Sequence, residues 1–307
     1  MSRVAIIGCG VVGSSWALVF ARAGHDVVVH DPSPDAMQAT IAFVAASLDG
    51  NPEAGTILAR ISTSATLEDA VAGVDYVQES APERLPIKQA LYARLDTLVA
   101  PTVVIGSSTS GFPASSFTET LSTRERCLVV HPINPPHLIP LVELVPAPWT
   151  RAEALDAADR LMTEVSQAPI RLSREINGFV VNRLQSALLG EAFRLVEDGI
   201  VSAGDVDKAV ADGLGLRWFF MGPFETIDLN AATGVAEYCR NLGPMYYGLA
   251  KEQADPREWS PPLVSTIETE RRAATPAAAL PERRLWRDRW LGALVAAKAR
   301  LRTELGR

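Results

Sequence analysis

Residues 4–13 read Val4-Ala5-Ile6-Ile7-Gly8-Cys9-Gly10-Val11-Val12-Gly13, and the fold follows from them. The short apolar run suits a buried strand, and its closing glycines lead directly into Val11–Ala23, whose apolar spacing is helical. G-x-G-x-x-G alone is a weak signal; between a strand and a helix it has the context that a dinucleotide's phosphates require. Gly8 permits the tight turn, Gly10 lets a pyrophosphate approach the backbone, and Gly13 lets helix and strand pack closely. The N–H groups of Val11 and Val12 then face the phosphates at the helix N-terminus, where free donors and the dipole favour anions. The second strand, Asp26–His30, is followed by Asp31, eighteen residues after Gly13. A carboxylate there accepts hydrogen bonds from both adenosine-ribose hydroxyls and repels a 2′-phosphate, and Pro32-Ser33-Pro34-Asp35 offers no arginine to hold one. The expected cofactor is NAD rather than NADP. The competing reading is a glycine turn and a turn-forming Asp in an unrelated α/β protein.

The pattern continues outward from this unit. Strand-like Tyr76–Gln78, Val103–Ile105, Cys127–Val130, Leu141–Val145 and Ile170–Leu172 are interspersed with helix-like Asp35–Leu48, Leu85–Leu98 and Arg151–Val165. Such alternation predicts an α/β fold with a Rossmann-like, mostly parallel, doubly wound sheet. After Glu175 the character changes. Phe179–Asp198 reads as one long amphipathic helix, Ser202-Ala-Gly-Asp205 as a capping signal, and the remainder as helices broken at Gly222-Pro223, Gly243-Pro244 and Pro261-Pro262. The boundary falls near Asn177-Gly178, dividing an NAD-binding domain, residues 1–177, from an all-helical domain, residues 178–307.

Composition narrows the class. With 307 residues, 48% hydrophobic and 21% charged, the chain is an ordinary globular one and not disordered or fibrous. Its net charge of −7 does not suit a nucleic-acid coat. Cys9, Cys127 and Cys239 are too far apart for metal spacing or a disulfide framework. No signal-peptide pattern precedes the glycine turn, and no run approaches the roughly 18–20 apolar residues of a membrane span. A cytoplasmic protein with neither membrane nor nucleic-acid partner is expected. Only four of the 29 bases are lysines, Lys88, Lys208, Lys251 and Lys298, which reads as coding bias. Residues 271–307 carry ten bases against three acids around Trp286, Trp290, Leu294, Leu301 and Leu305. That pattern predicts a basic amphipathic helix packed on its own domain or on a second subunit, in preference to a phosphate or nucleic-acid site.

Four histidines compete for a catalytic role. His25 sits in the turn before the second strand and reads as surface; His30 precedes Asp31 and reads as a wall of the adenosine pocket; His137 lies in a proline-rich loop. His131 ends the apolar run Cys127-Leu-Val-Val130, which places it at the carboxyl end of a strand, where open α/β folds bind ligands. Glu143 lies twelve residues on, within Leu141-Val-Glu-Leu-Val145. A carboxylate among apolar residues needs a partner, and an imidazole would satisfy it while being oriented by it. Such a pair suits hydroxyl oxidation: the ring takes the hydroxyl proton as hydride leaves the carbon, and the carboxylate offsets the ring's charge. Ser110, in Ser107-Ser-Thr-Ser110, and Asn182, one turn into the helix after Phe179, could fix the substrate. A structural histidine is the alternative.

Longer stretches carry a resemblance: Gln78-Glu-Ser-Ala-Pro-Glu-Arg84, His131-Pro-Ile-Asn-Pro-Pro136, Ile139-Pro-Leu-Val-Glu-Leu-Val-Pro146, Gly178-Phe-Val-Val-Asn-Arg-Leu-Gln185, Gly213-Leu-Gly-Leu-Arg217 and Glu282-Arg-Arg-Leu-Trp-Arg-Asp288. Over essentially its full length the chain resembles the 3-hydroxyacyl-CoA dehydrogenase superfamily, and within it the lambda-crystallin branch of L-gulonate 3-dehydrogenases. The resemblance implies a His–Glu pair at His131 and Glu143, and a serine and an asparagine near the reacting oxygen at Ser110 and Asn182. It implies an acid and a lysine lining the NAD site at Glu83 and Lys88, which would otherwise read as an exposed helix start. It also implies a homodimer through the helical domain, which shares in the substrate cleft.

Members acting on CoA thioesters carry a lysine-rich excursion after the second strand. Here Asp49–Thr63 is short, with Asp49 and Glu53 against Arg60 alone, which gives CoA phosphates little to pair with. The leading expectation is NAD-dependent oxidation of a small free L-3-hydroxy acid, L-gulonate-like. Short-chain 3-hydroxyacyl-CoA oxidation is a second reading. L-carnitine oxidation is a third, with Trp218, Phe219 and Phe220 as walls for a quaternary ammonium or as plain core. A crystallin-like structural role is the reading from another class. Arg217 is either a cation for the substrate carboxylate or a surface residue.

Overall fold

The computed structural model describes residues 1–306. Its strands are β1 (Arg3–Ile7), β2 (Asp26–His30), β3 (Ile61–Thr63), β4 (Tyr76–Glu79), β5 (Val104–Ser107), β6 (Cys127–Pro132), β7 (Leu141–Pro146) and β8 (Ala168–Arg171). They form one sheet in the order β3-β2-β1-β4-β5-β6-β7-β8. Pairing is parallel from β3 to β6, antiparallel between β6 and β7, and parallel again between β7 and β8. The chain winds outward from β1 through β2 to β3 and returns to β4 on the other side, so the strand order reverses between β1 and β4. That switch point opens a crevice at the strands' carboxyl ends.

Both faces of the sheet are covered, as the continuous apolar strands require. Val4 and Ile6 pack with Trp16 and Phe20 of helix α1 (Val11–Arg22), with Val44 of helix α2 (Pro34–Ser47) and with Met162 of Ala152–Glu164. Ala5 and Ile7 point the other way, into a core with Tyr92 and Leu95 of Leu85–Leu98. Successive strand residues thus feed opposite cores, which is the doubly wound architecture expected.

β3 and the short helices Ala54–Leu58 and Leu67–Ala70 have no counterpart in the sequence reading. β3 is a three-residue edge strand with two exposed residues, too short to show a period. His25 is a correction. It is buried and not at the surface, because Nδ1 accepts the Ser2 N–H at 3.2 Å and Nε2 lies 3.5 Å from Glu164. Burial lowers its pKa although Glu164 opposes the shift.

The chain divides into two compact units, Met1–Val181 and Asn182–Arg307. Beyond Val181 every described element is a helix, from Val181–Glu197 to Leu280–Leu305. Ser202 caps Ala203–Lys208 by accepting the Asp205 N–H at 3.1 Å, as its sequence signal indicated. Among the described residues of this unit only Ala203, Thr226 and Leu263 are buried. The apolar residues of the last helix stay largely open, with Trp290 54% and Leu305 79% exposed.

The glycine loop tests the local logic. A Cβ on Gly13 would lie 1.9 Å from the Gly8 carbonyl oxygen, whereas one on Gly10 would meet nothing within 4 Å. Gly13→Ala is therefore expected to lose about 3 kcal/mol or more of stability in urea unfolding, and Gly10→Ala less than about 1 kcal/mol. Equal losses would contradict the packing role of Gly13.

Candidate active site

The glycine loop lies at the switch point. Gly8 has φ +105°, and a Cβ there would strike the Ser80 carbonyl at 2.5 Å, so the turn admits only glycine. Gly10 is the N-cap of α1 with no side-chain cap, and Val11 is 69% exposed. An open helix N-terminus facing a space clear of side chains fits a pyrophosphate. Asp31 stands beside it: Oδ2 accepts the Cys9 N–H at 2.9 Å and Oδ1 the Ser33 N–H at 2.9 Å. Each oxygen keeps a further lone pair for a ribose hydroxyl. His30 Nδ1 lies 2.9 Å from the Ser64 carbonyl. His137 packs edge-on to Phe43, and its Nδ1 lies 3.0 Å from Ser15 Oγ of α1.

His131 and Glu143 are direct partners in the antiparallel β6–β7 register, so both side chains share one face of the sheet. His131 Nδ1–H donates to Glu143 Oε2 at 2.7 Å, and both side chains are buried. Glu143 Oε1 accepts the N–H groups of Val180 at 2.7 Å and Val181 at 3.1 Å. Gly178 (φ +75°) and Phe179 (φ +49°) turn the chain just before those amides, and the Phe179 ring packs 5.4 Å from the imidazole. Burial alone would raise the Glu143 pKa, but the bonds from His131, Val180 and Val181 outweigh it and hold the carboxyl below its usual range. With Nδ1–H on Glu143, His131 Nε2 is turned toward Ser110 Oγ, 3.2 Å away.

Ser110 is held by its neighbours. Glu83 Oε1 accepts from Thr109 Oγ1 at 2.5 Å, from the Gly111 N–H at 3.0 Å and from the Ser110 N–H at 3.1 Å. Lys88 is fully buried, with Nζ 2.8 Å from Glu79 Oε1 and 3.4 Å from Glu83 Oε2. A second buried chain runs alongside. Tyr76 donates to Gln78 Oε1 at 2.6 Å, and Gln78 Nε2 donates to Ser108 Oγ at 2.8 Å and to the Val130 carbonyl at 3.3 Å. Trp16 Nε1 also donates to Ser108 Oγ, at 3.1 Å. Asn182 and Arg217 are half-buried and lie in the second unit, in Val181–Glu197 and Gly215–Trp218.

A phosphate loop, a His–carboxylate pair and a serine at one sheet edge make a dehydrogenase-like site, and the sequence matches agree. Residues 3–176 match the NAD binding domain of 3-hydroxyacyl-CoA dehydrogenase, and residues 178–275 match its C-terminal domain. The chain belongs to the 3-hydroxyacyl-CoA dehydrogenase family. It is an NAD-dependent oxidoreductase acting on CH–OH groups. Lambda-crystallin of Oryctolagus cuniculus is 38% identical over 312 residues, 98% of each chain. An L-carnitine dehydrogenase of a Pseudomonas species is 40% identical over 245 residues, 78% of this chain and 76% of its own. Among solved structures, the NAD+-dependent 5-formyl-3-hydroxy-2-methylpyridine 4-carboxylic acid 5-dehydrogenase superposes with a TM-score of 0.80 at 27% identity, over 97% of this chain and 99% of its own.

Sequence reasoning missed Glu79 and the Val180 and Val181 amides. Every residue has an amide, so no letter marks those two. Glu79 lies in the polar stretch Gln78-Glu79-Ser80 and carries no apolar-embedding signal of the kind that exposed Glu143.

Because its folded pKa is lowered, Glu143 contributes stability in full above the ordinary carboxylate pKa and loses it as the pH falls through the folded value. The stability gap between the parent and Glu143→Gln is thus expected to be widest near about pH 7 and to shrink toward about pH 3 in chemical unfolding. A gap independent of pH would contradict an ionised, stabilising Glu143.

Proposed function

We propose that the chain oxidises the 3-hydroxyl of a small free L-3-hydroxy acid, L-gulonate-like. The observation that carries the chemistry is the His131–Glu143 pair at 2.7 Å with Ser110 Oγ at the ring's other nitrogen. Gly8, Gly10 and Gly13, the Val11 and Val12 amides and Asp31 would hold NAD, which when bound would supply the hydride acceptor. His131 Nε2 takes the hydroxyl proton while Nδ1–H stays on Glu143, whose negative charge offsets the imidazolium that forms. In the reverse direction the imidazolium returns the proton to the nascent alkoxide. Ser110 and Asn182 orient the reacting oxygen, and Glu83 holds the Ser110 loop at the cofactor side.

Charge around the second strand supports a free acid over a CoA ester. Arg60, the single base in residues 49–63, lies 3.5 Å from Asp26 and is already engaged. No other cation of that segment is left for the CoA phosphates. The structural relative named for a free pyridine carboxylic acid agrees with this reading. The L-carnitine dehydrogenase relative keeps carnitine as a second reading, and Trp218 and Phe220 are 39% and 59% exposed, open to a quaternary ammonium. Arg217 is the proposed cation for the substrate carboxylate.

NADH formation on L-gulonate, L-3-hydroxybutyrate, L-carnitine and 3-hydroxybutyryl-CoA tests the proposal. Turnover of the free hydroxy acids is expected, with kcat lowered roughly 10³-fold in His131→Ala. Turnover of the CoA ester alone overturns the free-acid reading.

The helical unit supports a homodimer. Its exposed Trp286, Trp290 and Leu301 give an apolar surface that a second copy would cover. Sedimentation at micromolar concentration is expected to show two chains, and Trp290→Glu to shift the population to one. A parent that sediments as a single chain refutes the dimer.

A further inference from the structure

Residues 133–140 join β6 to β7, so one hairpin loop connects His131 to Glu143. Pro135, Pro136 and Pro140 carry no N–H, which leaves this loop few backbone bonds of its own. The Ile133 N–H donates to the Leu141 carbonyl at 3.2 Å. The Leu138 and Ile139 N–H groups both donate to the Pro135 carbonyl, at 3.0 and 2.9 Å. His137 lies in the loop, half-buried, and touches both helices that follow the first two strands. Its Nδ1 lies 3.0 Å from Ser15 Oγ of α1, and its ring packs edge-on to Phe43 of α2 with centroids 5.3 Å apart.

Proton count fixes the direction of the Ser15 bond. Ser15 is fully buried, and its hydroxyl has one proton, which it donates to the Val11 carbonyl at 2.9 Å. Toward His137 the oxygen can then only accept, so His137 carries a proton on Nδ1 and donates it. Val11 is the first residue of α1, and its own N–H is one of the donors at the phosphate end of that helix. A line of bonds therefore runs from that end of α1, through Val11 and Ser15, to the loop between His131 and Glu143. Buried bonds in series reinforce one another.

We infer that His137 is a positioning residue: through Ser15 it clasps the hairpin loop to α1, so that a dinucleotide seated at the Val11 amide steadies the loop that leaves His131. The inference rests on the functional reading only for the place of the cofactor and the role of His131. His137 takes no part in the proton transfer. Without the clasp the His131–Glu143 pair stays formed, but the loop spends less time in its site-ready arrangement. The apparent affinity for substrate falls by that fraction.

Amide hydrogen exchange tests the clasp without turnover. Ser15→Ala removes the acceptor, and His137→Phe removes the donor while keeping a ring against Phe43. In cofactor-free protein each is expected to quicken exchange of the Ile133, Leu138 and Ile139 amides about tenfold, with β1 and β4 unchanged. Loop exchange that stays unchanged in both variants overturns the proposal, and so does an equal rise at β1 and β4, which marks a merely structural role. Saturating NADH is expected to slow the three loop amides about tenfold in the parent and less than about threefold in either variant. Slowing that is equal at β1 and β4 reflects binding to the folded state as a whole and overturns the coupling, as does slowing that survives in both variants. With L-gulonate, His137→Phe is expected to raise KM at least about threefold with kcat within about twofold. His137→Asn, which keeps an N–H where Nδ1 stands, should bring KM back toward the parent. A lowered kcat at unchanged KM overturns the positioning role. If the parent oxidises no L-gulonate, the functional reading fails while exchange in the cofactor-free protein still decides this one. If Ser15→Ala does not fold, His137→Phe carries both exchange measurements.

Discussion

A buried carboxylate sets the terms for the site. Glu143 has no exposed surface, and an ionised carboxylate in that position is sustained only when its oxygens are bound. One oxygen takes the His131 ring and the other takes two backbone amides. Each demand shapes a different part of the chain. The ring contact requires β6 and β7 to pair antiparallel in the register that places His131 opposite Glu143. The amide contacts require the chain after β8 to turn sharply, which it does through two successive left-handed residues, Gly178 and Phe179. One ionised group thus ties a strand register, a loop conformation and an imidazole tautomer together. With Nδ1–H held on Glu143, Nε2 is the ring nitrogen turned toward Ser110.

The site is also tied to the phosphate loop through the interior. Trp16 of α1 donates to Ser108, which binds Gln78, which in turn reaches the Val130 carbonyl next to His131. Helix α1 opens at the glycine loop, and β6 carries His131, so one polar chain sets the spacing of the two. Gly106 makes room for it: a Cβ there would fall 2.2 Å from the Tyr76 hydroxyl and 3.0 Å from Gln78 Oε1. Buried networks of this kind are costly when incomplete and rigid when every member is bound. Rigidity is what hydride transfer asks of a scaffold, because donor and acceptor must meet at a fixed separation.

What was legible in the sequence follows from where the physics leaves a periodic mark. The β1–α1–β2 unit was readable because the glycines, the apolar run and Asp31 are fixed by local geometry. His131 and Glu143 were readable because a polar residue in an apolar strand is conspicuous, and a hairpin makes such residues partners. Lys88 was not, because a lysine in the first turns of a helix looks solvated; its burial depends on Glu79, nine residues away on another element. His25 failed in the same way, since Glu164 and the Ser2 amide close over a turn that reads as exposed. β3 left no mark because three edge residues have no period.

The two units differ in how they meet the cost of ordering a chain. Backbone ordering costs about 1–2 kcal/mol per residue, and apolar burial is the main term that offsets it. The first unit meets this with two cores, one on each face of the sheet. In the second, Ala203, Thr226 and Leu263 are the buried residues among those described, while Phe224 is 79% and Trp290 54% exposed. Ser202 and Ser260 cap two of its helices, but a cap adds only about 1 kcal/mol. The arginine-rich last helix covers part of its exposed aromatic surface with its own cations. The Arg283 guanidinium lies 3.3 Å from the Trp286 ring centroid, and Lys298 Nζ lies 5.2 Å from that of Phe219. Cations stacked on aromatic faces shield part of this apolar surface from water.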